Sequence, residues 1–403
     1  MSICRASGKH SDLAAAFDQT SERQEGFGRL DTSNSQYSVT FCITELDVGG
    51  AEKALVRIAI GLQQRGWTVR VISLRDSGPM TASLEDAGIS VTSLNCGSFA
   101  DVRSYFRLKT AIQTSKLDVL VCFLHQANIY GRLVAHRLKI PVISGVRVAD
   151  RRKWIVWTER LTKSYVTHYI AVSKHVAETH SRLCGIQSDR ISSISNGVDA
   201  IAVKTPRTED DGTGEAHYQI LFVGRLTRQK APMDLLSAFN ALPANLRATS
   251  SLTFAGEGEL AGQIEATVLR LGLTNKVNLI GQCDDPVALM AESTLLVLPS
   301  LWEGMPNVVL EAMAAGLPVV ATDVDGTREL IDHRINGWLV APGQPAELCT
   351  AIQEALENRQ QRLRFAAVSQ VLAVERFSWN QACQAYHERL TLVIGAACSK
   401  TAR

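Results

Sequence analysis

The chain of 403 residues is 46% hydrophobic and 20% charged, which is ordinary for a globular protein, and it is long enough for two domains. Its 42 basic and 40 acidic residues leave a net charge of +2, which excludes a nucleic-acid-binding protein unless the cations cluster on one face. The nine cysteines are scattered singly, which excludes a zinc or dithiol motif and indicates a reducing compartment. Because no membrane-spanning run or signal-peptide core is found, we expect a cytoplasmic protein without a transmembrane anchor.

Residues 1–36 are rich in Ser, Asp, Gln and Gly, and we interpret them as a poorly ordered tail. A first strand starts at Ser38 and ends on a loop that contains Gly49 and Gly50, and a helix follows directly. A glycine pair at this position lets the backbone approach a phosphate or a sugar closely. The spacing is not that of a dinucleotide fingerprint, and a simple tight turn is the alternative interpretation.

Strand and helix patterns then alternate through the first half of the chain. Each predicted strand is a short apolar run, and the alternation with helices implies a parallel sheet covered on both faces. The predicted strands cover residues 68–74, 90–94, 117–124, 141–145, 168–172 and 191–194.

Two polar side chains follow strands of this predicted sheet. His125 closes the strand at 117–124, and Arg147 follows the strand at 141–145. The carboxyl ends of parallel strands open onto the ligand cleft, so both side chains are candidates for the site. His125 is either a functional group of the cleft or a structural hydrogen-bonding residue, and Arg147 either meets an acceptor or phosphate or is a surface arginine.

The segment from Arg151 to Lys163, RRKWIVWTERLTK, mixes basic residues with Trp154 and Trp157. Such a mixture suits anionic lipid headgroups or a bound acceptor. The alternative is that the tryptophans pack inward and the arginines face water. Our hypothesis is a peripheral contact of this segment with the inner face of a bacterial cytoplasmic membrane.

The second half begins after a polar, turn-rich stretch at 204–216, which is typical of an exposed interdomain linker. Its first strand, at 218–223, is followed by a loop that carries Arg225 and Lys230. An arginine fork and a mobile lysine at one cleft mouth suit a diphosphate leaving group. Such a pair of cations is by itself unspecific.

The most informative stretch of the chain is 294–326. Two buried strands, at 294–298 and 317–321, flank a predicted helix over residues 306–315. Pro306 suits the first helical turn, because a backbone N–H at that position would have no acceptor within the helix. The helix therefore starts at the carboxyl ends of the strands, where open α/β sheets bind ligands.

The start of this helix is a predicted phosphate site. Its free N–H groups, which we assign to Met305, Asn307 and Val308, act together with the positive end of the helix dipole. Glu303 lies just before the helix and Glu311 lies inside it. Carboxylates beside a bound phosphate would repel it unless they bound sugar or ribose hydroxyls, which is our interpretation. The alternative is a pair of exposed helix-surface glutamates.

The run SLWEGMPNVVLEAMAAGLPVVATDVDG resembles the signature of the retaining glycosyltransferases of family 4. LDVGGAEKAL is similar to the family's glycine loop, which faces the donor diphosphate, and VGRLTRQKAPMDLLSAF is similar to its diphosphate clamp. The resemblance covers roughly residues 39–395. It implies an α/β protein of GT-B fold, in which two Rossmann-like parallel-sheet domains face each other across a cleft.

The resemblance also implies roles for individual residues. Glu303 would bind the donor sugar's hydroxyls and Glu311 the ribose, and His125 would lie near the acceptor and the donor sugar. The catalytic set is Glu303, His125, Arg225 and Lys230. The loops around Gly256 and Gly281 are similar to those that bind the nucleotide base. The complete predicted nucleotide-sugar-binding set is Gly49, Gly50, Gly224, Arg225, Lys230, Gly256, Gly281, Glu303, Gly304, Met305, Asn307, Val308 and Glu311.

The implied reaction moves a sugar from a nucleotide diphosphate sugar to a hydroxyl of a glycan or lipid-linked acceptor, with retention of anomeric configuration, as in bacterial surface polysaccharide synthesis. Asp323 and Asp325 spell an Asp-x-Asp sequence, but they belong to the loop after a strand, so we expect no metal and no cofactor. A non-catalytic nucleotide-sugar scaffold and a GT-B nucleotide-sugar epimerase are the alternatives.

We expect the following domains. The acceptor domain covers residues 37–203, and the nucleotide-sugar domain covers residues 217–376. An apolar stripe that includes Tyr386 and Leu390 predicts a terminal helix within 377–403. The resemblance implies that this helix crosses back to the first domain.

Overall fold

The computed structural model describes residues 37–97, 101–114, 116–199, 217–283 and 285–401. The predicted tail at 1–36 and the predicted linker at 204–216 lie outside the described residues. The described residues form two parallel β-sheets, each covered by helices.

The first sheet is parallel throughout and buried. Its strands are β1 (Ser38–Ile43), β2 (Thr68–Ser73), β3 (Ser90–Ser93), β4 (Val119–Phe123), β5 (Val142–Val146), β6 (His168–Ala171) and β7 (Ile191–Ser193). They are ordered β3-β2-β1-β4-β5-β6-β7. The register places Phe41 between Val71 and Val121, and all three side chains are fully buried. Helices on both faces explain why each strand is an apolar run rather than an alternating one.

Helices connect these strands on both faces of the sheet. They are α1 (Gly50–Gln63), α2 (Met80–Asp86), α3 (Arg103–Gln113), α4 (His125–Leu138), α5 (Lys153–Thr162) and α6 (Lys174–Cys184). On α1, Leu55, Ile58 and Leu62 share one buried face at helical spacing. Ser173 caps α6 by accepting a hydrogen bond from the Val176 N–H at 3.2 Å.

The second sheet repeats the strand order of the first. Its strands are β8 (Tyr218–Val223), β9 (Ser250–Ala255), β10 (Val277–Leu279), β11 (Leu295–Leu298), β12 (Val319–Thr322) and β13 (Trp338–Val340). They are ordered β10-β9-β8-β11-β12-β13, and Leu296 lies between Leu221 and Val319. These three side chains are also fully buried or nearly so.

The helices of the second half are mostly amphipathic. They are α7 (Pro232–Asn240), α8 (Ala244–Ala248), α9 (Ala261–Arg270), α10 (Pro286–Glu292), α11 (Asn307–Ala315), α12 (Pro345–Glu357), α13 (Arg359–Arg376) and α14 (Trp379–Thr401). The exception is α11, in which Val309, Leu310, Ala312 and Met313 are all buried. Gly316 ends α11 in the left-handed conformation, at a φ of 69°, which glycine adopts without steric cost.

The strand order reverses direction between β1 and β4 in the first sheet and between β8 and β11 in the second. At such a switch point the loops at the carboxyl ends of the two strands diverge and leave a crevice. Lys230 and Glu303 lie in these connections, and Gly50 and His125 are the first residues of the helices that follow them. The topology therefore directs the main sequence motifs to the two crevices.

The last helix returns to the first domain. Three side chains of α14 are buried against the first domain: Cys383, Tyr386 and Leu390. Cys383 packs so closely on Gly61 of α1 that a Cβ on this glycine would overlap its sulfur. The Ser378 hydroxyl caps α14 by accepting the Gln381 N–H at 3.3 Å. The last helix thus packs against the first domain, including α1.

The predicted strands all form. Their ends differ by at most two residues from the prediction, except that β1 ends at Ile43, three residues before the end of the predicted run SVTFCITEL. The predicted helix at 306–315 starts one residue late, at Asn307, because Pro306 has an extended backbone and occupies the N-cap position. No helix in the described ranges has both the length and the apolar character that a bilayer crossing requires.

Candidate functional site

The loop after β1 forms one wall of the cleft. Gly49 has an extended backbone, and a Cβ there would overlap the carboxylate of Glu52. The carbonyl oxygen of Gly50 accepts a hydrogen bond from Asn307 Nδ2 at 3.4 Å. Both glycines therefore serve close approach rather than a left-handed turn. Sequence analysis missed Glu52, because an acidic residue in a first helical turn is usually assigned to the dipole. Burial raises the pKa of Glu52, against an opposing effect of Arg147.

His125 stands at the start of α4, directly after a strained residue. Leu124 has a φ of 69° and a ψ of 158°, a combination nearly restricted to glycine. The His125 imidazole packs edge to face on Trp154, and its Nε2 lies 3.3 Å from Thr158 Oγ1. Its Nδ1 lies 3.8 Å from Glu159. Burial lowers the pKa of His125, which Glu159 opposes. Both ring nitrogens thus face α5. Thr158 and Glu159 are therefore the neighbours that a structural hydrogen-bonding role of His125 requires.

A buried charge cluster lies behind His125. Glu159 Oε2 is 2.8 Å from Arg132 Nη1 and 3.6 Å from His180 Nε2. Burial of Glu159 acts to raise its pKa, but Arg132 and His180 outweigh it and lower the pKa to about 2. Arg132 also donates from Nε to Ser144 Oγ at 2.9 Å. The cluster joins three helices far apart in sequence, so no local pattern could have indicated it.

Arg147 is not a surface arginine, which corrects that interpretation. Its guanidinium lies 5.5 Å above the Phe123 ring and donates a hydrogen bond to Asn196 Oδ1. Burial lowers the pKa of Arg147, and the neighbouring Tyr386 and Glu52 oppose that shift. The side chain is therefore partly buried against the first domain and near Tyr386 of the terminal helix.

On the second domain, two predicted site residues from different loops meet. Lys230 Nζ donates to Glu303 Oε1, and Ser300 Oγ donates to the same oxygen at 2.7 Å. The side chains of Lys230 and Glu303 are only 15% and 7% exposed. The Leu301 N–H donates to the carbonyl oxygen of Gln229 at 2.8 Å, which fixes one loop against the other.

Arg225, the second predicted cation, is exposed and stands apart from this pair. Within the described ranges its side chain forms no hydrogen bond or ion pair with protein. The two cations of the predicted clamp thus differ: Lys230 is held by Glu303, while Arg225 extends from the loop after β8.

The start of α11 faces the first domain. Asn307 and Val308 open the helix, so their N–H groups have no acceptor within it. Met305, just before them, accepts the Asn196 N–H on its sulfur at 3.3 Å. Burial raises the pKa of Glu311, one turn further on, and the ammonium of Lys53 in α1 opposes that shift. Glu311 is therefore close to the first domain and is not an exposed helix-surface residue.

The three loops at the carboxyl ends of β8, β9 and β10 lie side by side. Gly224 donates its N–H to Ala255 O at 3.0 Å, and Gly256 donates to Gly281 O at 2.7 Å. All three glycines have positive φ, and a Cβ on Gly256 would overlap the Gly224 carbonyl. The structure thus brings these predicted binding residues together by close backbone approach.

Both Asp-x-Asp carboxylates are in contact with a nitrogen-bearing side chain. Asp323 pairs with Arg328, and Asp325 lies 2.8 Å from His175 Nε2 of the first domain. In the part of the chain that the structure describes, no three His, Cys, Asp or Glu side chains are grouped as a metal site would require.

The outer face of α5 is apolar and exposed. Trp154, Trp157 and Leu161 are 49%, 62% and 55% exposed, whereas Ile155 and Glu159 of the same helix are buried. The interpretation that both tryptophans pack inward is therefore wrong. Because Trp154 also contacts His125, this exposed face borders the end of β4.

Two doubly wound domains whose switch-point loops face each other define a protein of the GT-B class. The family profile described as Glycosyltransferase Family 4 matches residues 48–201, and the profile described as Glycosyl transferases group 1 matches residues 207–370. The chain belongs to this family of glycosyltransferases.

Relatives with assigned activities support this membership. The UDP-Gal:alpha-D-GlcNAc-diphosphoundecaprenol alpha-1,3-galactosyltransferase of Escherichia coli is 27% identical over 287 residues, which cover 66% of this chain and 74% of that protein. An alpha-1,4-N-acetyl-D-galactosaminyltransferase of Campylobacter jejuni, named for a PP-undecaprenol-linked glycan, is 26% identical over 337 residues, 80% of this chain and 90% of that protein.

A solved structure shares the fold. Anabaena HepE in complex with UDP-glucose has a TM-score of 0.77 and 22% sequence identity, and the match covers 88% of this chain and 99% of that one. At this identity the likeness shows the fold alone.

Proposed function

We propose that this protein is a retaining glycosyltransferase that moves a sugar from a UDP-sugar to a hydroxyl of a lipid-linked glycan. One observation carries the proposal: the pair of Lys230 and Glu303 and the start of α11 meet opposite the loop of Gly50. A lysine, free backbone N–H groups and a buried carboxylate are the groups that a diphosphate and an attached sugar require.

The pairing suggests how the donor is bound. Lys230 moves from Glu303 to the diphosphate, where it and the α11 terminus stabilise the negative charge that develops as the nucleotide departs. Arg225, which is exposed on the loop after β8, adds a second cation. Glu303 is then left to accept hydrogen bonds from the sugar hydroxyls, and Glu311 binds the ribose.

Because these cations and N–H groups stabilise the leaving group, the reaction needs no metal. The contacts of Asp323 with Arg328 and of Asp325 with His175 support a metal-independent reaction. We assign retention of anomeric configuration because the segment from Glu303 to Glu311 resembles the signature of retaining glycosyltransferases.

The acceptor is proposed from the relatives and from α5. Two relatives are named for undecaprenol-linked glycans, which lie in membranes. The exposed Trp154 and Trp157 follow the cations Arg151, Arg152 and Lys153, and this combination suits an anionic membrane surface. Because Trp154 touches His125, a lipid-linked glycan bound there reaches the cleft. We place the enzyme peripherally at the inner membrane face.

The test starts with donor selection. A panel of UDP-, GDP-, ADP- and dTDP-sugars is screened by thermal shift, since a ligand at about 100 times its dissociation constant adds roughly 2.7 kcal/mol of stability. The stabilising donor is then incubated with GlcNAc-diphosphoundecaprenol. We expect a UDP-sugar to stabilise the protein and an α-linked product to form, identified by mass spectrometry and by the anomeric proton coupling.

Other outcomes would overturn the proposal. Donor binding with neither transfer nor hydrolysis would indicate a non-catalytic scaffold. A change in the sugar of the donor without acceptor would indicate an epimerase, and a β-linked product would show inversion.

A further inference from the structure

Asn196 lies in the connection after β7 and is 3% exposed, although its side chain is polar. Its polar groups contact both domains. A buried amide of this kind is stable only when its donors and acceptors have partners, so those partners define what it does.

The partners of Asn196 fix its orientation. Its Oδ1 accepts from Arg147, which can only donate, so Nδ2 must face the other side. There Nδ2 donates to Asn307 Oδ1 at 2.6 Å, and the backbone N–H points at Met305 Sδ at 3.3 Å. One first-domain residue thus contacts the turn before α11 and the first residue of α11.

The hydrogen-bonded chain continues across the cleft. Asn307 Nδ2 donates to the carbonyl oxygen of Gly50 at 3.4 Å, so Asn307 is placed between Asn196 and the glycine loop. A Cβ on Gly50 would lie 3.4 Å from this amide, in van der Waals contact. The distance between the glycine loop and α11 is therefore set through Asn307.

The backbone of Arg147 also contacts the second domain, close to the residues that Asn196 contacts. Gly304 lies so close to the Arg147 carbonyl oxygen that a Cβ would overlap it, and Gly326 lies as close to the Gly304 carbonyl. The main chain of Arg147 thus meets the turn that carries Glu303, while its side chain is bound to Asn196. The two domains are thus in close backbone contact at this turn.

We propose that Asn196 is a positioning residue that joins Arg147 to Asn307 and sets the spacing of the two walls of the donor site. This rests on the proposed function, because the spacing matters when a diphosphate sugar is bound between the walls. Donor binding mainly to the second domain needs little help from Asn196, whereas turnover needs both walls in place.

Asn196→Ala tests the proposal by separating turnover from binding. We expect kcat to fall by about tenfold, the rate equivalent of one lost hydrogen bond, while the dissociation constant for UDP changes by less than about threefold. The double variant with Asn307→Ala should be no slower than Asn307→Ala alone, because the two residues share one bond. Fully additive losses would overturn the proposal.

Asn336→Ala is the matched control. Asn336 is equally buried, but both its bonds, to Leu330 O at 2.9 Å and from the Asp332 N–H at 2.7 Å, stay inside the second domain. We expect it to lose stability without a loss of kcat comparable to that of Asn196→Ala. An equal loss of kcat in both variants would show that Asn196 acts only through general stability.

Hydrogen exchange gives a readout that needs no activity. In ligand-free protein, Asn196→Ala should speed amide exchange in residues 47–53 and 303–310, and Asn336→Ala should not. Unchanged exchange in Asn196→Ala would overturn the positioning role. If the parent transfers no sugar but the exchange changes as expected, the proposed function fails and the positioning role stands.

Discussion

Lys230 and Glu303 form an ion pair on the floor of the cleft, with the Ser300 hydroxyl on the same carboxylate oxygen. The cation assigned to the diphosphate and the carboxylate assigned to the sugar are thus one unit in the ligand-free protein. Removing one partner leaves the other as a mostly buried, unpaired charge, which costs more than the pair itself is worth. The two residues therefore have to be tested with binding and turnover measured separately.

Lys230→Ala and Arg225→Ala should each lower turnover by about 100-fold or more, because both cations are proposed to meet charge that grows in the transition state. Arg228→Ala is the matched control, since Arg228 is an exposed cation of the same loop. Initial rates at saturating donor give the comparison. Rates within about threefold of the parent for both Lys230→Ala and Arg225→Ala would rule out the clamp.

Glu303→Gln should depress turnover while leaving UDP binding intact or slightly tighter. The substitution removes the carboxylate that competes with the diphosphate for Lys230 and also removes the proposed acceptor for the sugar hydroxyls. Titration calorimetry with UDP and with the UDP-sugar measures both effects. Loss of UDP binding itself would contradict the sugar-hydroxyl role.

Activity should survive EDTA, because fixed cations and backbone N–H groups are proposed to do the work of a metal. The parent is assayed after dialysis against the chelator, with and without added Mg²⁺ or Mn²⁺. A complete loss that either ion restores would show that the site has been misassigned.

Changing Arg151, Arg152 and Lys153 to Glu should abolish flotation of the protein with anionic liposomes at low salt. Each basic residue near such a surface contributes about 1 kcal/mol, and reversing three charges replaces that attraction with repulsion. The control carries the same charge change at Arg137, Lys139 and Lys116, which are exposed elsewhere on the first domain. Equal flotation of the two variants, or none of the parent, would remove the membrane argument.

Glu159→Gln should destabilise the protein by about 3 kcal/mol at neutral pH, because it leaves the fully buried Arg132 without its carboxylate partner. The folded pKa of Glu159, about 2, lies below its ordinary 4.5, so the stability that it confers is present above about pH 4.5 and is lost as pH falls toward 2. Urea unfolding at several pH values should show the difference from the parent shrinking over that window.

A double variant provides the control for Glu159→Gln. Combining it with Arg132→Met removes both charges, and we expect it to be less destabilised than Glu159→Gln alone. If the double variant is the less stable one, packing rather than charge explains the effect.

Local patterns in the sequence predicted much of this fold. Strands such as β8 and β11 were located to within two residues, because short apolar runs between Gly and Pro record burial directly. The glycine loop and the start of α11 followed from the same local reasoning. The contacts of His125 did not, since Thr158 and Glu159 lie on another helix and sequence spacing does not record helix packing.

The sequence by itself determined the order of the elements, the family motifs and the residue types at the cleft, because periodicity, turn chemistry and motif spacing are properties of neighbouring residues. Only the tertiary structure decided that Lys230 is paired with Glu303, that Arg147 is bound to Asn196 and that Trp157 faces outward. Each of these depends on how separate loops and helices are placed around two sheets. That placement is set by packing over the whole core, which no single stretch of sequence contains.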